Sequence, residues 1–128
     1  MADIEQKNKV TVITVVYNNV SGIKETLESF VSQSWSNKEL VVRDGGSTDG
    51  TWEIINSCSD NIAYKCSEPD GGIYDAMNKG IDRADGEWVT FLNSGDVFVD
   101  DQVLERVFGN NEYFFIRIGY FVRARNVF

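Results

Sequence analysis

Four short apolar runs, Val10–Val16, Glu39–Arg43, Ile62–Cys66 and Glu87–Leu92, alternate along the chain with segments of helical periodicity. Strand–helix–strand order builds βαβ units, a mostly parallel sheet and right-handed crossovers, so successive strands end at one edge. The first run, VTVITVV, is nearly all β-branched, which suits a strand covered on both faces of such a sheet. The first expected helix is Gly22–Ser34, capped by Ser21, with Ile23, Leu27, Phe30 and Val31 on its apolar face. Thr51–Ser57 follows, with Trp52, Ile54 and Ile55 inward. Ile73–Ala84 places Ile73, Ala76, Met77 and Ile81 at core spacing and is ended by Asp85-Gly86. Asp101–Phe108 completes the pattern, with Val103, Leu104 and Val107 inward. The expected fold is therefore α/β, a Rossmann-like, mostly parallel sheet flanked by helices. It occupies residues 10–108, after a polar leader at 1–9 and before an aromatic, basic tail at 109–128.

Open α/β sheets bind ligands outside the carboxyl ends of their strands. Here those ends carry Tyr17 and Asn18, then Asp44 to Asp49, then Glu68 to Gly72, then Asn93 to Asp96. Four polar, acidic turns converging on one edge describe a binding site better than they describe solubility. The stretch Val41-Val42-Arg43-Asp44-Gly45-Gly46-Ser47-Thr48-Asp49-Gly50-Thr51 is the most specific of them. A strand ends on a carboxylate, turns through glycines and small hydroxyls, and starts a helix. Nucleotide recognition needs an acceptor for base or ribose beside N–H donors for phosphate, and this turn offers both. Taken alone, the stretch also reads as an ordinary turn with Ser47 or Thr48 capping the helix.

At 128 residues the chain is one domain at most, and a chain of this size buries roughly two-thirds of its unfolded surface. A net charge of −8 argues against nucleic acid as a partner, because phosphate binding wants a basic stripe. The sequence has no histidine, which removes the commonest general base and the commonest zinc ligand. A metal ion would have to be held by oxygens, which points to Mg2+ or Mn2+. Cys58 and Cys66 lack metal-type spacing and read as reduced, mostly buried thiols of a cytosolic protein. No apolar run approaches the roughly 20 residues needed to span a bilayer.

With these segments in order, VTVITVVYN at 10–18, VVRDGGSTDGT at 41–51, SEPDGGIYDAMNKGI at 67–81 and WVTFLNSGD at 88–96, the chain resembles the family 2 glycosyltransferases of glycosyltransferase-A fold. The middle pair is similar to bacterial enzymes that build surface polysaccharide. The resemblance implies transfer of a sugar from a nucleoside-diphosphate sugar to a saccharide or lipid-linked acceptor. It implies that Tyr17 walls the nucleotide pocket and that Asp44 hydrogen-bonds the base or ribose. Ser47 and Asp49 would shape that turn, although Asp49 reads equally as a cap of the Thr51 helix. Asp70, Gly71 and Gly72 would lie over the nucleotide, the glycines allowing close backbone approach. Asp75 and Asn78 would point into the pocket from one helical face, and Lys79 either reaches the diphosphate or lies exposed on the helix.

The family's fourth turn usually carries a run of aspartates that holds a divalent ion against the diphosphate. Here it reads Asn93-Ser94-Gly95-Asp96, which leaves Asp96 as the expected metal ligand, aided by the neutral oxygen of Asn93. The resemblance also implies a second half that binds the acceptor and supplies the catalytic base. This chain therefore reads as the donor-binding half of an enzyme roughly twice its length, with the base outside it. A sugar nucleotidyltransferase would want a glycine-rich loop near residues 10–25, where Tyr17-Asn18-Asn19 stand instead. A non-catalytic or truncated nucleotide-sugar-binding domain is the remaining alternative.

The tail Tyr113–Phe128 is aromatic and locally basic. It reads either as a membrane-surface contact, at the inner face, for a lipid-linked acceptor, or as a further sheet strand. Left uncovered, such a strand would favour self-association into a homo-oligomer.

Overall fold

The computed structural model describes residues 8–109 and 122–123. In chain order the elements are β1 (Val10–Val16), α1 (Val20–Val31), β2 (Lys38–Asp44), α2 (Thr51–Ser57) and a 3-10 turn at Ser59–Asn61. These are followed by β3 (Tyr64–Ser67), α3 (Ile73–Asp82), β4 (Trp88–Phe91), α4 (Val103–Phe108) and β5 (Val122–Arg123). The strands form one sheet of order β3-β2-β1-β4-β5. β1 lies parallel to β2 and β4, and β2 parallel to β3, whereas β5 runs antiparallel on β4. Of the tail at 109–128, Gly109 and the backbone of β5 are described, and the rest of the membrane-contact reading lies outside the described residues.

Strand alternation sorts the core into two layers. Val12, Val16, Leu40 and Val42 face α1 and α2, meeting Ile23, Leu27, Phe30 and Ile55. Ile13, Val41 and Val89 face the other way, toward Ile81 and Ala84. Near the start of β1, Val10 packs with Trp35, Leu104, Val107 and Phe108, which anchors α4. Val10, Val12 and Ile13 are fully enclosed, as a β-branched strand covered on both faces requires. Thr11 is enclosed as well because its hydroxyl is used twice. It donates to Glu39 Oε2 at 2.6 Å and accepts from Gly86 N–H at 2.8 Å.

Several boundaries differ from the sequence-based expectation. α1 begins at Val20 rather than Gly22, because Asn19 rather than Ser21 is its cap, accepting from Gly22 N–H through Oδ1 at 3.1 Å. It ends at Val31, and Val31 itself is 44% exposed instead of lying on the apolar face. β3 starts two residues late, since Ser59–Asn61 winds into the 3-10 turn before it. α3 stops at Asp82, and Ile73 at its head is 50% exposed, while Ala76 and Gly80 make its buried contact. At Gly80 the helix comes so near the sheet that an added Cβ would lie 2.6 Å from Ile13 Cγ2. Cys58 and Cys66 are free and half-buried rather than mostly buried. Among the described residues, no helix is long and apolar enough to cross a membrane.

Candidate functional site

Parallel register brings Val16, Asp44 and Ser67 side by side at the carboxyl ends of β1, β2 and β3. Beyond them the chain ties its own turns together. Gly45 N–H donates to Val16 O at 2.9 Å, and Glu68 N–H donates to Asp44 O at 2.9 Å. Asn18, in the left-handed region at φ 47°, donates its N–H to Ser47 Oγ at 2.7 Å and accepts from Thr48 N–H at 2.8 Å. Its neighbour Asn19 donates its N–H to Thr51 Oγ1 at 3.0 Å and its Nδ2 to Ser94 Oγ at 3.2 Å. The two asparagines that end β1 therefore clasp the second and fourth turns.

Asp44 is fully enclosed. Its Oδ2 accepts from Ser47 N–H at 3.0 Å and Ser67 Oγ at 2.6 Å, and its Oδ1 accepts from Ser47 Oγ at 2.5 Å. Every donor facing this carboxylate comes from the protein, so its visible work is to close the turn. Asp49, although exposed, is likewise bonded to the chain. Its Oδ1 accepts from Thr51 Oγ1 at 2.5 Å and Thr51 N–H at 3.0 Å, at the first residue of α2. The Thr51 hydroxyl, with backbone N–H groups beside it, holds the Asp49 carboxyl below its ordinary range.

Above these clasps lies a cleft of about 670 Å³, lined on one side by Val16, Tyr17, Gly45 and Gly46 and on the other by Asp70, Gly72, Ile73 and Asn93. Tyr17 is 64% exposed, its ring standing beside Gly45. Gly46, at φ +91°, brings the second turn against Pro69 of the third, a backbone state that side chains rarely adopt. The third wall is pinned by charge. Asp75 Oδ2 accepts from Gly71 N–H at 2.8 Å and pairs with Lys79 Nζ at 2.9 Å. Those two contacts, the amide first, depress the Asp75 carboxyl, and Asp75, with Asp70 adding to it, raises the Lys79 ammonium. Lys79 also reaches Asp70 Oδ1 at 3.4 Å. Asn78 is exposed and does not line the cleft.

The fourth turn closes through Asp96 N–H donating to Asn93 O at 2.9 Å, with Gly95 at φ +94°. A positive φ at the third position of such a turn calls for glycine, which is a physical reason for the missing carboxylate at 95. Asn93 Oδ1 is buried on the cleft wall with no hydrogen-bond partner. Asp96 is exposed and lies beyond the cleft lining, its carbonyl held by Thr26 Oγ1 at 2.8 Å. An orphaned amide oxygen on the cleft wall, three residues before an exposed carboxylate, suits a hard divalent ion. Among the described residues, however, no group of three His, Cys, Asp or Glu side chains could hold such an ion alone.

Residues 11–112 match the family model for glycosyl transferase family 2. The chain belongs to glycosyl transferase family 2. Relatives of this family include an uncharacterised glycosyltransferase of Mycobacterium tuberculosis, 42% identical over 74% of this chain and 37% of that protein. A PGL/p-HBAD biosynthesis glycosyltransferase of Mycobacterium bovis is 36% identical over 76% of this chain and 39% of its own length. The chain thus spans less than two-fifths of the relatives it matches. Among solved structures, S. aureus TarS in complex with UDP-GlcNAc superposes with a TM-score of 0.71 at 29% identity. That match covers 77% of this chain and 30% of the TarS 1-349 chain. The mannosyltransferase PcManGT from Pyrobaculum calidifontis, in complex with GDP-Man and Mn2+, gives 0.69 at 27% identity, over 74% of this chain and 30% of that one. The glycosyltransferase-A type of sheet expected from the sequence is the fold observed, and the neighbour PcManGT is in complex with the divalent ion Mn2+.

In this family-2 chain, sequence reasoning passed over Arg43, Asn19 and Thr26. Arg43 is 3% exposed and donates through Nη2 to Glu68 Oε2 at 3.0 Å and to Asp70 Oδ1. Burial works against its charge, but the bonds to Asp70 and Glu68 outweigh that and hold its pKa above the ordinary arginine value. The available signal was a cation directly after the apolar run Leu40-Val41-Val42, in a chain whose third turn is acidic.

Proposed function

We propose that this chain is the donor-binding part of a glycosyltransferase. The whole enzyme would transfer a sugar from a nucleoside-diphosphate sugar to a saccharide or lipid-linked acceptor in polysaccharide biosynthesis. The observation that carries this reading is the cleft at the carboxyl ends of β1–β4, walled by Tyr17, Asp70, Gly72 and Asn93. Its size suits a small ligand, and the neighbours PcManGT and TarS are seen in complex with GDP-Man and UDP-GlcNAc. Tyr17 would flank the base, and the backbone at Gly45, Gly46 and Gly72 would let the nucleotide approach closely. Asp44, Ser47 and Asp49 would contribute by holding the second turn in shape. Gly71, Asp75 and Lys79 would set the wall over the nucleotide, with Asn78 at its outer margin.

Asn93 and Asp96 would hold Mg2+ or Mn2+, the remaining ligands coming from the diphosphate itself. When bound, such an ion neutralises charge developing on the departing nucleoside diphosphate. Because the chain carries a net charge of −8 and the ligand is anionic, that neutralisation would also favour donor binding. A cytoplasmic location fits two free thiols. A lipid-linked acceptor would draw the enzyme to the inner face of the membrane.

Calorimetric titration of UDP, GDP and their sugar conjugates, with and without Mn2+, tests the reading. Expected is binding that depends on the metal and weakens about tenfold in Asp96→Ala, the loss of one charged ligand. Folded wild-type protein that binds none of these compounds overturns it.

A further inference from the structure

The two buried carboxylates at this edge are treated in opposite ways by the fold. Asp44 has both oxygens supplied with donors by Ser47 and Ser67. Asp70, whose side chain is 6% exposed, does not. Its Oδ1 is held from two sides, by Arg43 Nη2 and by Lys79 Nζ at 3.4 Å. Its Oδ2 is buried without any hydrogen-bond partner, on a residue that lines the cleft. Arg43 Nε is likewise buried and unpartnered, so the second arm of the guanidinium does not consume Oδ2. A buried carboxylate oxygen left without a donor is costly, and the nearest open volume that could bring one is the cleft.

We infer that Arg43 is a positioning residue for the ligand. By clamping Asp70 Oδ1 and, through Glu68, the strand side of the same loop, it presents Asp70 Oδ2 as an acceptor to an N–H or O–H of the bound nucleotide sugar. This rests on the donor-site reading above and names the acceptor within it. Arg43 reaches this position because it is the last residue but one of β2, registered against Cys66 beside the start of the loop. Its Nη2 donates to both acids at once, at a reach and in a plane set by the rigid guanidinium, which a lysine ammonium on its shorter, flexible stem does not share.

The test is a mutant cycle on nucleotide binding, with melting curves recorded for each protein. Asp70→Asn replaces the free acceptor by an NH2 turned away from the guanidinium, and Arg43→Met removes the clamp. Each is expected to weaken binding of the nucleotide that wild type prefers by about tenfold. The double variant is expected to lose no more than either alone, because Arg43 acts through Asp70. A loss seen with UDP or GDP alone sets Oδ2 against the nucleoside, whereas a loss confined to the sugar conjugates sets it against the sugar. If Arg43→Met does not fold, Arg43→Lys keeps the charge and is expected to fold with binding weakened to a smaller extent. Wild-type affinity in a folded Arg43 variant, or additive losses in the double variant, overturns the inference while leaving the donor site standing. Absence of binding by wild type would instead remove the donor site itself.

Discussion

Asp44→Ala is the sharpest probe of how the second turn is built. The substitution removes an enclosed carboxylate that accepts from Ser47 N–H at 3.0 Å, Ser47 Oγ at 2.5 Å and Ser67 Oγ at 2.6 Å. The two hydroxyls can rotate toward other acceptors, but the Ser47 amide is fixed by the backbone and is left without one. A buried donor stranded in this way, with the loss of two charge-assisted bonds, costs about 3 kcal/mol. For a domain of this size that corresponds to a fall in melting temperature of roughly 12–24 °C. Asp44→Asn retains one carbonyl oxygen, able to take the Ser47 amide and one hydroxyl, and is expected to lose about half as much. Thermal unfolding followed by far-ultraviolet circular dichroism reads both. A melting temperature for Asp44→Ala within about 3 °C of wild type, accompanied by lost nucleotide binding, would refute the reasoning. Asp44 would then be a ligand contact, and the clasp described here would carry no stability.

Gly80→Ala sets two effects of opposite sign against each other. Helix propensity favours alanine by about 1 kcal/mol, but its Cβ would stand 2.6 Å from Ile13 Cγ2, and overpacking of that kind costs about 1–3 kcal/mol. Net destabilisation is expected in a denaturant melt, and a stabilised variant would contradict the close seat of α3 on β1. The Asp75 carboxyl should titrate below its ordinary value, as followed by side-chain NMR, and Lys79→Met should move it back up. A depressed folded-state pKa means that its contribution to stability is fully present above the unfolded value and is lost as pH falls through the folded one. An Asp75 midpoint at the unperturbed value would show that Gly71 N–H and Lys79 do not hold the loop in solution.

The order of elements was legible in the sequence because both periodicities are local. VTVITVV announces a covered strand, and Ile23, Leu27 and Phe30 mark the buried face of α1. The edge on which the turns meet followed from the same alternation, since parallel strands must end together. Helix ends were less legible, because Asn19 and Ser21 are both capable caps. The choice fell to Asn19, whose side chain also reaches Ser94, a residue 75 positions away. Ile73 was misread as core for a similar reason. It lies three residues from Ala76, but only the docking of α3 on Ile13 reveals which face is turned inward.

What the sequence by itself determined is the class of sheet, the meeting of the second and fourth turns at one edge, and the family of the chain. Those are properties of residue type and spacing, and they survive without coordinates. The roles of individual acids were decided only by tertiary structure. Asp44, Asp49, Asp70, Asp75 and Asp96 look alike as letters. One is saturated by serine hydroxyls, one caps a helix, one is clamped by a buried arginine with an oxygen to spare, one holds a loop amide, and one stands free in water. Whether a carboxylate oxygen is available to a ligand depends on which donors the register of distant strands brings within about 3 Å, and no local pattern encodes that distance.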